Sequence, residues 1–263
     1  MTPGIKIGTS GWNYQHWKGA FYPDQLTPRE WLKYYMRHFE TVEVNNTFYK
    51  LPGKNVFRDW YEMTSECFVF SVKASRYITH MKKLKDPVQP IRTLIGNVTI
   101  LKDKLGPLLF QLPPRWKNNP ERLALFLKAL PDDLRIAFEF RDESWWNPRI
   151  TGILADNNAS FCIYELAGRQ SPKWVTADFV YIRLHGPSGA YEGSYSIRVL
   201  SDWAAAISGW NRKGLSVFCY FDNDQCAYAV RNAQILKKMT GSNRSDPKAE
   251  TCAGDVWTDS GTE

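Results

Sequence analysis

Side chains able to do chemistry recur at one kind of position in this sequence, the carboxyl end of a short apolar run. Glu43, Asn45 and Asn46 close the alternating segment 42–49, Lys73 ends the run 68–73, and Gln111 ends the run 107–111. Glu139 and Arg141 follow 135–138, Arg183 and His185 end the run 180–185, and Asp222 and Asn223 follow 215–221. A carboxylate so placed can accept a proton, a lysine or arginine can hold an anion, and an imidazole can move a proton near neutral pH. Glu43, Glu139 and His185 therefore form the candidate catalytic set. Trp12, Asn45, Asn46, Lys73, Arg76, Gln111, Arg141, Trp145, Arg183, Tyr191 and Asn223 form the candidate substrate-binding set.

Segment 42–49 shows why these positions must be explained. Alternation puts Val42 and Val44 on one face of a strand and Glu43 and Asn45 on the other. Polar side chains facing a protein interior are costly unless partners meet them. Either this strand is exposed, or its inner face ends in a polar site. In the second case Glu43, Lys73, Glu139, Arg141 and Arg183 converge as a mutually paired charge network. A divalent ion on Glu43, Glu139, His185 and Asp222 is the alternative. However, the chain has only four histidines, without clustered ligand spacing, and Lys73 and Arg183 compete for the same carboxylates. The expectation is a salt-bridged site with no metal and no cofactor.

The elements that must position these residues alternate regularly. Strand-like runs at 5–7, 41–45, 68–73, 107–111, 135–140, 160–164, 180–185 and 215–221 are separated by helical segments at 27–39, 56–63, 91–105, 120–130, 147–157, 201–211 and 225–239. Segment 166–178, after the sixth strand, has no convincing helical period. Thr27-Pro28-Arg29-Glu30 is a capping box with proline at the first helical position, and Asn147-Pro148 opens another helix. Eight strands alternating with helices predict a single-domain α/β barrel of the TIM type, which places every strand's carboxyl end at one mouth. The domain covers residues 1–240, and the Gly-, Ser- and Asp-rich stretch 241–263 is expected to be a disordered tail.

Composition narrows the function classes. The chain has 263 residues and a net charge of +7, and without the acidic tail the body carries about +10, favouring anionic partners. No run of 18 apolar residues is present, so no membrane partner and a cytoplasmic location are expected. The five cysteines are too widely separated for a zinc knuckle. No P-loop, dinucleotide fingerprint or nucleophile elbow appears. Loop 185–193 and the start of the last helix could bind phosphate through backbone N–H groups, although Asp222 and Asp224 oppose an anion and could instead cap that helix. The best reading is a hydrolytic or phosphoryl-type enzyme acting on an anionic, phosphate-containing small molecule. The alternative is a non-catalytic nucleic-acid-binding module that uses aromatic and basic loops around Trp12, Tyr49, Arg76, Tyr77, Trp145 and Tyr191.

The strings IGTSGW, FYP, FETVEVNNTFYKLP, FVFSVKASRYITH, KLGPLLFQLPP, EFRDESW, YIRLHG and YFDND follow one another in this order. Over residues 5–239 the chain thereby resembles the domain-of-unknown-function family DUF72, also called YecE-like. The resemblance implies a TIM-barrel-like fold and supplies no catalytic assignment, since the family has no established activity.

Overall fold

The computed structural model describes residues 3–242. The expected tail falls almost entirely outside them. In chain order the regular elements are β1 (Ile5–Thr9), α1 (Trp31–Tyr35), β2 (Thr41–Val44), α2 (Lys54–Met63), β3 (Val69–Lys73), α3 (Val88–Val98), β4 (Leu105–Leu112), α4 (Pro120–Leu127) and β5 (Ile136–Phe140). There follow α5 (Pro148–Asp156), β6 (Ser160–Phe161), β7 (Ile163–Leu166), β8 (Arg169–Gln170), β9 (Phe179–Leu184), α6 (Ile197–Arg212), β10 (Ser216–Phe221) and α7 (Tyr228–Thr240).

The strands form two five-stranded sheets, ordered β1-β10-β9-β7-β8 and β2-β3-β4-β5-β6, and every pairing is parallel except the β7–β8 hairpin. This is an α/β fold of parallel sheets and helices, with two sheets where the alternation predicts one continuous closed one. The sixth expected strand is divided at Cys162: β6 pairs with β5, and β7 pairs with β9. The unconvincing segment after it holds the short hairpin in place of a helix.

The two sheets face each other. Val69, Leu109, Ala137, Cys162, Phe179, Tyr181, Phe218 and Tyr220, drawn from both, pack into a small core of their own. The Tyr220 hydroxyl, on β10, lies 2.7 Å from Thr41 Oγ1 on β2 and 2.8 Å from Ser71 Oγ on β3, so the polar atoms of this inner core are paired across the sheets. The opposite faces carry a larger core running from Ile7 to Leu236, where helices cover Val42, Val44, Phe70, Phe110 and Phe138.

Local chemistry sets several helix starts. Asn119 accepts a hydrogen bond from the Arg122 N–H at 2.9 Å ahead of Pro120, and Asn147 accepts one from Ile150 at 3.1 Å ahead of Pro148. The Thr27–Glu30 box forms, with the Glu30 carboxylate 2.8 Å from the Thr27 N–H, but continuous helix begins only at Trp31. Helix α7 starts without a side-chain cap, at Ala227 in the left-handed region, so Asp222 and Asp224 do not cap it.

Candidate functional site

Alternation along β9 sends Tyr181, Arg183 and His185 to one face, and that face is the inner one. Arg183 is fully buried and forms the hub of the site. Its Nη2 donates to Glu43 Oε1 at 2.8 Å, to Asp222 Oδ2 at 2.9 Å and to Ser10 Oγ at 3.1 Å, its Nη1 to Glu139 Oε2 at 2.8 Å, and its Nε to Glu43 Oε1 at 3.1 Å. Four chain segments thus meet on one guanidinium: the end of β1, β2, β5 and the turn after β10. Arginine suits this position because its planar fork serves several carboxylates at once and cannot lose its proton.

The remaining lone pairs are met as well. Glu43 Oε1 accepts from Ser10 Oγ, and Oε2 accepts from the Tyr181 hydroxyl at 2.7 Å. Glu139 Oε1 accepts from Arg141 Nε. Burial by itself would push the Glu139 carboxyl up, but Arg141 and Arg183 hold it well below the usual carboxylate range. For Asp222, burial also opposes ionisation, and Arg183, the His185 hydrogen bond and Lys73 outweigh it, so its pKa is lowered.

His185 is buried against this network. Its Nδ1 lies 2.9 Å from Asp222 Oδ2, while its Nε2 lies 2.9 Å from Arg141 Nη2, 3.3 Å from Arg183 Nη1 and 3.4 Å from Glu139 Oε1. Guanidinium N–H groups only donate, so the two nearest neighbours require Nε2 to accept and place the ring proton on Nδ1, facing Asp222. Above the ring sits Tyr191, 5.8 Å between centroids, with its N–H on the His185 carbonyl at 2.6 Å. Gly186 makes this return possible: at φ 117° a Cβ there would meet the Glu192 carbonyl oxygen at 2.4 Å.

The rim of the network is differently built. Lys73 is only 8% exposed, yet among the described residues its ammonium pairs with no carboxylate and packs on the Phe48 ring, 4.4 Å to the centroid. Burial, and then the charge of Arg183, lower its pKa to about 8, with Asp222, Glu43 and Glu139 pulling the other way. A π-helical turn, Tyr77–Met81, follows β3 and brings His80 against the same ring, at 5.0 Å. Burial together with the positive charges of Lys73, Arg76 and Arg141 lowers the His80 pKa. Asn45 donates to Ser10 Oγ at 2.6 Å, whereas its Oδ1 and the Oε1 of Gln111 are buried without a hydrogen-bond partner among the described residues. Arg141 lies over the Tyr164 ring, 4.8 Å to the centroid.

Glu43, Lys73, Glu139, Arg141, Arg183 and His185 thus lie at the carboxyl ends of their strands, Asn45 and Tyr191 reach them from the loops that follow β2 and β9, and Gln111 lies opposite Glu139 in the β4–β5 register. Others do not join them. Trp145 is fully buried, stacks on Phe140 and donates to the Trp116 carbonyl, so it packs a loop and offers no ligand surface. Asn223 is buried and fastens the Tyr191 loop by donating to the Gly193 carbonyl at 2.8 Å. Arg76 is exposed beside the π-helical turn. Trp12 and Asn46 line a neighbouring cavity of about 850 Å³, with Asn45, Tyr49, Trp60 and Met63. That cavity adjoins the charge network through Asn45 and through Tyr14, whose hydroxyl donates to the Ser10 carbonyl at 2.6 Å; the network itself, where the ionisable groups converge, is the better candidate for chemistry.

Ser10, Tyr181 and Asp222 join the site although none of them is in the candidate catalytic or substrate-binding sets; the sequence offers Asp222 as a strand-end residue, a metal ligand or a helix cap. The alternation Tyr181, Arg183, His185 is the signal that could have found Tyr181. Among the described residues no group of three or more His, Cys, Asp or Glu is placed to hold a metal ion, and the Arg183 guanidinium stands where the three carboxylates converge. No helix among the described residues is long and apolar enough to cross a membrane.

Comparison with known proteins agrees over nearly the whole chain. The family described as "Protein of unknown function DUF72" matches residues 6–253. UPF0759 protein YunF of Bacillus subtilis is 25% identical over 89% of this chain and 94% of its own length. UPF0759 protein YecE of Escherichia coli is 29% identical over about half of each chain, 52% and 48%. The crystal structure of a DUF72 family protein from Thermotoga maritima superposes with a TM-score of 0.81 at 26% identity, covering 90% of this chain and 99% of that one. A DUF72 family protein from Enterococcus faecalis, 20% identical, shares the fold with a TM-score of 0.75 over 90% and 95% of the two chains. The chain belongs to the DUF72 family.

Proposed function

We propose that this chain is an enzyme that binds a small anionic ligand at the carboxyl ends of its strands and moves protons there. The observation that carries the reading is the unequal pairing of the site's cations. Among the described residues Arg183 absorbs Glu43, Glu139 and Asp222, leaving Lys73 without a carboxylate and Arg141 with one oxygen of Glu139. Positive charge at the rim of a buried network favours an anion. The unpaired acceptors Asn45 Oδ1 and Gln111 Oε1 suit hydroxyl groups on the same ligand.

The roles divide by depth. Glu43 and Glu139, fully buried and bound by arginines, serve as positioning residues that hold Arg183 and Arg141 in place. His185, held by Asp222, is the proton acceptor once a ligand draws Arg141 away from Nε2. In this proposal the two sheets work as one TIM-type barrel. Support comes from the Ser10–Glu43 bridge between them and from the Cys162 N–H donating to the Phe138 carbonyl at 2.8 Å where β6 passes into β7.

The narrower form of the reading is a phosphate-containing ligand and hydrolytic or phosphoryl-type chemistry. Release of phosphate or alcohol from a panel of phosphomonoesters and phosphodiesters tests it. Turnover should vanish in His185→Gln and fall in Arg141→Gln; a panel with no turnover, or turnover unchanged in both variants, rejects that chemistry. The nucleic-acid alternative has fewer free rings than the sequence suggests, since Trp12, Trp17, Tyr22 and Trp145 are buried, although Tyr49, Tyr77 and Tyr191 keep substantial exposure. Salt-dependent binding of a fluorescent oligonucleotide would favour it over the enzyme.

A further inference from the structure

Most buried charges in this molecule are spoken for. Lys104 donates to the Tyr61 and Thr64 carbonyls at 2.6 Å each, and Arg183 holds three carboxylates. Lys73 differs. Its amine stands at the end of β3, nearly excluded from water, against an aromatic face and with no hydrogen-bond acceptor of its own among the described residues. On the same ring sits His80, whose Nδ1 is 2.9 Å from Thr79 Oγ1 and whose Nε2 has no partner among the described residues. An amine kept out of water and out of ion pairs, beside an imidazole with one free nitrogen, is arranged as a nucleophile with a proton carrier.

We propose that Lys73 is a catalytic residue that forms an imine with a small carbonyl compound bearing a phosphate or carboxylate group. The proposal rests on the anion site described above for orientation of the ligand, but it does not require ester cleavage. The lone pair of the neutral amine adds to the carbonyl carbon, and the proton shed by nitrogen passes to the carbonyl oxygen, giving a carbinolamine. His80, after taking up a proton from solvent at Nε2, donates it to that hydroxyl, which leaves as water, and the nitrogen lone pair forms the C=N bond of a protonated imine. No oxidant or reductant is consumed. The protonated imine withdraws electrons from the neighbouring carbon, so the reaction class it serves is the making or breaking of a C–H or C–C bond next to the carbonyl. The depressed pKa of Lys73 fits this use: at pH 7 it carries on the order of a hundredfold more neutral amine than a lysine at its ordinary value.

The test uses the intact wild-type chain with glyoxylate, glycolaldehyde phosphate and the uncharged propionaldehyde as probes, each with cyanoborohydride to fix any imine, followed by peptide mapping. Lys73 should be alkylated by the two anionic aldehydes at least about tenfold faster than the median exposed lysine, as its larger neutral fraction requires. Inorganic phosphate should protect it, and propionaldehyde should show a smaller preference. Label spread over the surface lysines with Lys73 spared would overturn the proposal, as would unchanged incorporation in Lys73→Met. The two readings fail separately. A protein that binds inorganic phosphate but leaves Lys73 unlabelled loses the imine and keeps the anion site. One that is labelled at Lys73 by all three aldehydes alike, without phosphate protection, loses the anionic ligand class and with it the proposal as stated.

Discussion

Arg183 and Lys73 occupy the same end of the strands and share the carboxylates there unequally: Arg183 lies within 2.8–2.9 Å of Glu43, Glu139 and Asp222, while the Lys73 ammonium, among the described residues, packs on the Phe48 ring and meets no carboxylate. The forked guanidinium, with five N–H donors against the three of an ammonium, wins the competition. Its victory leaves the buried Lys73 amine without a carboxylate partner among the described residues.

The Arg183 hub should be irreplaceable. Arg183→Met strands three buried carboxylates and is expected to destabilise the fold by about 3–5 kcal/mol, with Arg183→Lys little better because lysine cannot bridge all three. Glu43→Gln should cost less, since one amide oxygen still accepts from Tyr181 or Arg183. Urea unfolding followed by tryptophan fluorescence measures both; a melting curve for Arg183→Met that overlays the wild type would refute the hub.

Lys73 should behave in the opposite sense. Its folded pKa, about 8, lies below the unfolded value, so the unfolded chain binds more protons between the two, and stability from this group rises with pH. The penalty is complete below pH 8 and is relieved as the pH approaches the ordinary lysine value. Lys73→Met should therefore stabilise the protein at pH 7 by about 1–3 kcal/mol, with the gain shrinking toward pH 10. A loss of stability at pH 7 would show that the ammonium has partners in solution.

Acid should act through Glu139 and Asp222. Both carboxyls titrate below their unfolded values, so their contribution is complete above the ordinary carboxylate pKa and disappears as pH falls through the folded values. Unfolding free energy should drop steeply below about pH 4, and less steeply in Glu139→Gln. Parallel acid limbs for the two proteins would be inconsistent with this.

Gln111 separates stability from ligand binding. Its Oε1 is buried without a partner among the described residues, so Gln111→Leu should leave the melting temperature unchanged or slightly higher while weakening any hydroxylated anion that binds. Thermal shift with and without sugar phosphates reads both effects. A marked drop in melting temperature would mean that the amide is already satisfied.

Much of this arrangement was legible in the sequence because strand alternation is a local signal: Glu43 between two valines, and Arg183 two residues before His185, must face the same interior. What was not legible depends on chain segments meeting in space. Nothing local says whether Arg183 or Lys73 captures the carboxylates, or that Asp222 turns toward His185 and not toward the helix after it. Trp145 was misread because an aromatic beside polar loop residues looks the same whether it stacks on a ligand or on Phe140. The division of the sixth strand at Cys162 and the π-helical turn after β3 are likewise set by packing, where period and propensity carry no mark.

The central claim is that the rim of the buried network binds an anion through Lys73 and Arg141. Calorimetric titration of inorganic phosphate into the wild type and Arg141→Gln, at pH 7 and again at pH 9, tests it most directly. The account predicts saturable binding with one phosphate per chain, weakened by Arg141→Gln and weakened again above pH 8 as Lys73 loses its proton. Absence of saturable binding, or an affinity indifferent to both the substitution and the pH, would contradict it.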